Sequence, residues 1–80
     1  MKEIKLSSEA ESLQLGIYEH YKGNKYQVLG IALHSETLEE LAVYKALYGR
    51  GLTWVRPLKM FLENIEIDGK ASPRFRFLEK

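Results

Sequence analysis

Seven side chains in this sequence are of types that a purely structural core would not require: His20, His34, Glu36, Thr37, Tyr44, Trp54 and Arg56. Only Ser35 separates His34 from Glu36. On an extended segment, residues two apart share one side. Histidine moves protons near neutral pH, and an adjacent carboxylate can orient its ring. Adding His20 supplies the donors for a His-His-Glu metal or hydrolytic site, although the spacing matches no zinc pattern. The structural alternative has Glu36 and Thr37 bonding loop backbone and both histidines as half-exposed strand residues. Arg56 lies between Val55 and Pro57. Its five donors suit a carboxylate or a phosphate. An internal ion pair with Glu36, Glu39 or Glu63 would occupy the same donors.

The aromatic residues extend this set. Trp54, Tyr18, Tyr21, Tyr44 and Tyr48 offer flat surfaces of the kind that hold Pro-rich peptides or unstacked bases. The competing reading puts alternate aromatics in the core, with Trp54 as core or groove wall. Pro73–Phe77 alternates Arg and Phe. It reads either as a phosphate-backbone cradle or as an edge strand with Arg outside and Phe inside. No Gly-rich phosphate loop, nucleophile elbow or Cys/His metal set occurs. Of the serines, only Ser35 adjoins a candidate base, and strand neighbours point to opposite faces.

The elements that must position these groups are short. Ile17–Lys22 and Tyr26–Leu33 are rich in β-formers and flank the Gly23-Asn24 turn signal. Residues 36–48 are ambiguous. Thr37 with Glu40 fits a helix capping box, and Leu38, Leu41, Ala42 and Leu47 favour helix. Yet such a helix is apolar almost all round from Leu41, with no polar face. As a strand, the same residues divide between two sides. Gly49–Gly51 is a turn, and Leu52–Arg56 a strand stopped by Pro57. From Pro57 to Glu63 the spacing of Leu58, Phe61 and Leu62 predicts a helical turn, with Pro57 at its first position. Ile65 and Ile67, the Asp68-Gly69 turn, and Phe75 and Phe77 read as closing strands. Residues 1–15, dominated by Ser and Glu, predict a flexible leader, either a frayed arm or a single helical turn. Order is expected from Gly16, giving one domain over residues 16–80.

Totals bound the class. Eighty residues suffice for one domain, with 45% hydrophobic and 11% aromatic content to fill a small core. The absence of Cys removes disulfides and thiolate chemistry. No apolar run has signal-peptide or membrane-helix length, so the expected location is cytoplasmic. With 12 basic and 11 acidic residues the net charge is +1, against the basic excess of dedicated DNA binders. Acidic residues cluster at Glu36, Glu39 and Glu40, and basic ones at Lys70, Arg74, Arg76 and Lys80. Solvated faces and a steering field both fit that division.

An ordered series of blocks then becomes recognisable: GIYEHYKG from Gly16, YQVLG from Tyr26, HSETLE from His34, VYKALYG from Val43, WVRPL from Trp54 with Met60-Phe61, and PRFRF from Pro73. Together they resemble a bacterial domain-of-unknown-function family, the one numbered sixteen fifty-three, over roughly Gly16 to Leu78. Lys45 and Leu33 stand where that family's pattern usually has Arg. The resemblance implies an SH3-like barrel. It also favours a strand for Leu41–Tyr48, with Thr37–Glu40 in a loop before it. It implies no activity.

The expectation is a mainly β fold, a small SH3-like barrel of about five strands with one short helical turn. It would act as a non-catalytic binding module. Its polar-aromatic face of His20, Tyr44, Trp54 and Arg56, rimmed by the His34–Thr37 loop, would hold a protein segment. The alternatives are single-stranded nucleic acid, or a His/Glu metal or hydrolytic site. No cofactor and no membrane partner are expected, and the chain is expected as a monomer or weak dimer.

Overall fold

Alternating large apolar and polar residues, cut at close intervals by turn formers, fold most of this chain into antiparallel strands. The computed structural model describes residues 4–80. In chain order the elements are α1 (Ser8–Ser12), β1 (Gly16–His20), β2 (Lys25–Leu33), β3 (Glu40–Ala46) and β4 (Thr53–Pro57). They continue with α2 (Leu58–Phe61), β5 (Asn64–Ile67), β6 (Lys70–Pro73) and β7 (Phe75–Glu79). Five strands form one antiparallel sheet in the order β4-β3-β2-β1-β7, and β5 and β6 form a separate hairpin. The mainly β expectation holds, with seven strands and two short helices among the described residues rather than about five strands and one helical turn.

Local chemistry explains most boundaries. Asp68 and Gly69 both have positive φ, 51° and 77°, as a two-residue type I′ hairpin turn requires. The β1–β2 turn is longer than expected. The Gly23 N–H donates to the His20 carbonyl at 2.7 Å, and the His20 N–H donates to the Asn24 carbonyl at 2.8 Å. Tyr21 and Lys22 therefore belong to the turn and not to β1. Pro57 is the N-cap of α2 at φ −49°, ψ 133°, so Leu58, not Pro57, takes the first helical position. Leu58 and Phe61 are buried as their spacing implied, whereas Leu62 is exposed.

The ambiguous stretch resolves as strand. Glu40–Ala46 pairs with β2 on one side and β4 on the other. Thr37 caps no helix. Its Oγ1 accepts the Glu39 N–H at 3.2 Å, and Leu38 adopts a left-handed φ of 62°. Two ladders of backbone hydrogen bonds outweigh the helix propensity of Leu41, Ala42 and Leu47, which amounts to a few tenths of a kcal/mol per residue.

Cross-strand partners put one set of side chains on one face. Tyr18 pairs with Tyr26 and Phe77, His20 with Phe75, Val28 with Tyr44, Tyr44 with Trp54, and Ala42 with Arg56. This inner face carries the core: Tyr18, Val28, Ala42, Tyr44 and Phe75, joined by Leu58 and Phe61 from α2 and Ala10 from α1. Phe61 is 1% exposed and stacks on Phe75 at 4.3 Å, with Tyr18 and Tyr44 each at 5.4 Å.

Of the two forms expected for the leader, the single helical turn is present in its described part as α1. Ser7 caps α1, its Oγ accepting the Ala10 N–H at 3.1 Å. Its own N–H and hydroxyl donate to the two Glu40 carboxylate oxygens at 2.7 and 2.6 Å. Ala10 joins the core cluster at 5% exposure. The first three residues of that leader lie outside the described residues. Among the described residues, no helix is long and apolar enough to cross a membrane.

Candidate functional site

Three of the seven candidate residues meet on the inner face. Tyr44 projects from β3 beside Arg56 of β4, whose Nε donates to the Tyr44 hydroxyl at 3.3 Å. The guanidinium carbon lies 5.8 Å from the centre of the Phe75 ring. Phe75 in turn lies 4.9 Å from the His20 ring and 5.3 Å from the Tyr44 ring. Phe75 thus bridges His20 to the Tyr44–Arg56 pair. The internal ion pair considered for Arg56 does not form. Among the described residues the salt bridges are Arg74–Glu63 at 3.1 Å and Arg76–Glu19 at 2.8 Å. Arg56 faces Ala42 in register, so strand pairing points it at the aromatic face and not at the loop glutamates.

Two further aromatics complete the cluster. Tyr26 packs edge-on against Tyr44 at 5.3 Å, Tyr48 at 5.5 Å and Phe75 at 5.8 Å. The Tyr26 and Tyr48 hydroxyls share a hydrogen bond of 2.6 Å. Burial and the bond to Tyr48 push Tyr26 up to about 12. Tyr26 is not among the candidates; its two-residue spacing from Val28 is the sequence signal that could have found it, and its role as a hub needed the pairing of β1, β2 and β3. Trp54 is opposite Tyr44 in register but outside the ring cluster, and 49% of it is exposed at the β4 edge.

Three basic side chains act on His20. Burial first, then the charges of Arg56, Arg74 and Lys22, hold the His20 imidazole below its ordinary value. His20 Nδ1 accepts the Lys22 N–H at 3.2 Å, which leaves Nε2 carrying the proton of the neutral ring. A neutral imidazole, an oriented guanidinium and several ring faces suit recognition of an anionic group flanked by apolar ones.

His34, Glu36 and Thr37 lie elsewhere. They occupy the β2–β3 loop after Leu33, whereas His20 adjoins the Lys25 end of β2. The nine residues of β2 make eight steps between those ends, roughly 26 Å at about 3.3 Å per step. His34 and Glu36 do not face one side of a strand. The His34 ring turns back, and its Nδ1 accepts the N–H groups of Glu36 at 3.1 Å and Thr37 at 3.4 Å. The structural alternative holds for Thr37, which bonds loop backbone, and for His20, a half-buried strand residue; His34 is an exposed loop residue that itself accepts backbone N–H groups, in the place expected for Glu36. No group of three His, Cys, Asp or Glu residues gathers as a metal-ligand set among the described residues.

Pro73–Phe77 follows the edge-strand reading: Phe75 points inward, and Arg76 is exposed beside Glu19. A cavity of about 540 Å³ lies between the N-terminal arm, the β2–β3 loop and α2, where Leu6, Leu38 and Leu62 mix with Lys5, Glu9 and Lys59. Nothing before Gly16 appeared functional in the sequence, and the docking of α1 that walls this cavity depends on a contact 33 residues apart, Ser7 with Glu40.

No curated protein matches the chain. The crystal structure of a DUF1653 protein from Bordetella bronchiseptica is similar, with a TM-score of 0.79 and 37% identity over 86% of this chain and 91% of that one. The family model described as protein of unknown function (DUF1653) matches residues 16–77, a span that includes all seven candidate residues. The chain belongs to the DUF1653 family.

Proposed function

We propose that this protein is a non-catalytic binding module whose polar-aromatic face, where Trp54, Arg56, Tyr26 and His20 border the buried core, holds a protein segment. The β1–β4 meander, the short helix α2, and the return of β7 beside β1 support an SH3-like barrel as its framework. The observation that carries the reading is the Tyr44–Arg56 contact over Phe75, with His20 and Tyr26 beside it and Trp54 half-exposed at the rim. Packing and hydrogen bonding hold these groups in place, so a ligand meets a preorganised surface. Among the described residues the Arg56 side chain bonds only to Tyr44, which leaves further donors for a ligand. Near-neutral net charge favours a protein partner over a nucleic acid.

Trp54 is the only tryptophan, so its fluorescence reports directly on the face. Titration with short acidic-apolar peptides is expected to shift Trp54 emission, with little loss of affinity as salt rises. A single-stranded oligonucleotide tests the second reading. Its binding would fall with added salt at a log–log slope of about −0.7 for each phosphate neutralised. A steep slope for the oligonucleotide with no response to peptide would replace the protein-segment reading. No response to either would remove the assignment of this face as a binding surface.

A further inference from the structure

The sheet has two outer strands, and they are guarded differently. β7 carries the exposed charges Arg76 and Glu79, and its pairing with β1 is broken by a bulge between Ile17 and Tyr18. Both features discourage strand addition. β4, of sequence Thr-Trp-Val-Arg-Pro, is exposed over Thr53, Trp54 and Val55, with Val55 at 58%.

The direction of its free backbone groups follows from one bond. The Ala46 N–H donates to the Leu52 carbonyl at 2.9 Å, in line with the register that pairs Lys45 with Thr53 and Tyr44 with Trp54. In an antiparallel ladder, hydrogen-bonded pairs alternate with non-bonded ones. Leu52, Trp54 and Arg56 therefore turn their backbone groups towards β3. Thr53 and Val55 turn theirs outward, and Pro57 presents a carbonyl with no N–H. Among the described residues no other backbone group bonds that outward side.

We infer that the β4 edge accepts an extended acidic-apolar peptide as an added antiparallel strand, hydrogen-bonded to Thr53 and Val55 and carrying a carboxylate opposite Arg56. The inference rests on the binding-module reading and specifies its partner. Period-two alternation puts the ligand residues opposite Trp54 and Arg56 on the inner face. Both positions are non-bonded pairs relative to the new strand, the class in which side chains approach most closely. An apolar residue covers Trp54, and a carboxylate meets a guanidinium that lacks an ion-pair partner among the described residues. Pro57 sets the end of the added strand, which limits it to about five residues.

The probe is the capped peptide Thr-Glu-Val-Leu-Thr, titrated to about 2 mM, near the weak end of specific recognition. It is followed by Trp54 fluorescence and by amide NMR of the full chain. The expected result is protection of the Thr53 and Val55 amides. The Glu-to-Gln peptide should bind about fivefold to tenfold more weakly, the range for loss of one charged contact. Methylating the nitrogen of the central valine, or the variant Val55→Pro, should reduce binding by about tenfold or more through loss of ladder bonds. Proline suits this position because the Val55 N–H is unused in the native ladder. Should that variant not fold, the N-methyl peptide against the natural chain makes the same test. Peptide binding that shifts Trp54 but ignores both N-methylation and Val55→Pro would overturn the added strand and leave the binding face standing. Protection of the same amides in a dimer of the protein alone would assign the edge to a second copy. Absence of any shift from this peptide, with other acidic peptides still moving Trp54, would also reject the added strand.

Discussion

Replacing Tyr44 with Phe removes one oxygen from the centre of the inner face and leaves every ring in place. Tyr26, Phe61 and Phe75 pack on Tyr44 at 5.3, 5.4 and 5.3 Å, and a Phe ring fills the same space. What is lost is the acceptor for Arg56 Nε at 3.3 Å. A hydrogen bond to a charged donor contributes about 1.5–3 kcal/mol. This one is longer than the usual 2.9 Å, and Arg56 is only half-buried, so water recovers part of it. The expected destabilisation is about 0.5–1.5 kcal/mol. For a domain of this size that lowers Tm by about 3–10 °C. Urea unfolding of the natural chain, Tyr44→Phe, Arg56→Met and the double variant isolates the pair. A coupling of about 0.5–1.5 kcal/mol is expected, since the two groups touch. Additive effects, with coupling inside the roughly 0.3 kcal/mol error of such cycles, would refute the claim that Tyr44 holds Arg56 in place.

Three further outcomes follow from the packing and the titrating groups. Phe61→Ala should cost about 3–5 kcal/mol, against a total of about 4–12 kcal/mol for a domain of this length, so calorimetry should find Tm lowered by about 12 °C or more; a Tm within a few degrees of the natural chain would place the core elsewhere. Gly16→Ala forces a side chain into φ +144°, where its Cβ would meet the Glu79 carbonyl and lie 2.7 Å from Lys80 Cα. It should lose about 1–3 kcal/mol on chemical denaturation, and an unchanged midpoint would show that the β1–β7 contact gives way easily. His20 is held below its ordinary value, so the unfolded chain binds its proton first. Its contribution to stability is therefore complete above the ordinary pKa near 6.5 and is lost as pH falls from there through the lower folded value. His20→Gln should flatten that acid limb in melting experiments, and an unaltered limb would assign the dependence to other groups.

The loop histidine shows how far side-chain spacing can mislead. His34 and Glu36 share a side only if the chain between them is extended. The structure instead turns at Ser35–Thr37, and the imidazole spends its acceptor on two backbone N–H groups. Arg56 shows the same limit, because a carboxylate near it in sequence predicts nothing about which face of β4 it occupies. That face depends on the pairing of β4 with β3.

Local chemistry was enough for the features that depend on a few consecutive residues. The Asp68-Gly69 turn needs two positive φ values, and this dipeptide supplies them readily. Pro57 ends a strand and admits a helical turn because its φ is preset and its N–H is missing. The β-formers of Tyr26–Leu33 and the alternation of Phe75 and Phe77 marked strands, because such side chains fit a pleated, half-buried sheet that repeats every two residues. Tertiary structure decided what neighbours in sequence cannot. Residues 36–48 carry good helix formers and a capping pattern, and they became a loop and a strand because β2 and β4 present backbone partners on both sides. The family resemblance anticipated that outcome; propensity alone left it open. Ser7 found Glu40, and Phe75 joined His20 to Arg56, through contacts between residues far apart in the chain. Local preferences amount to a fraction of a kcal/mol per residue, whereas burying a single Phe61 contributes several, so the distant contacts prevail wherever the two disagree.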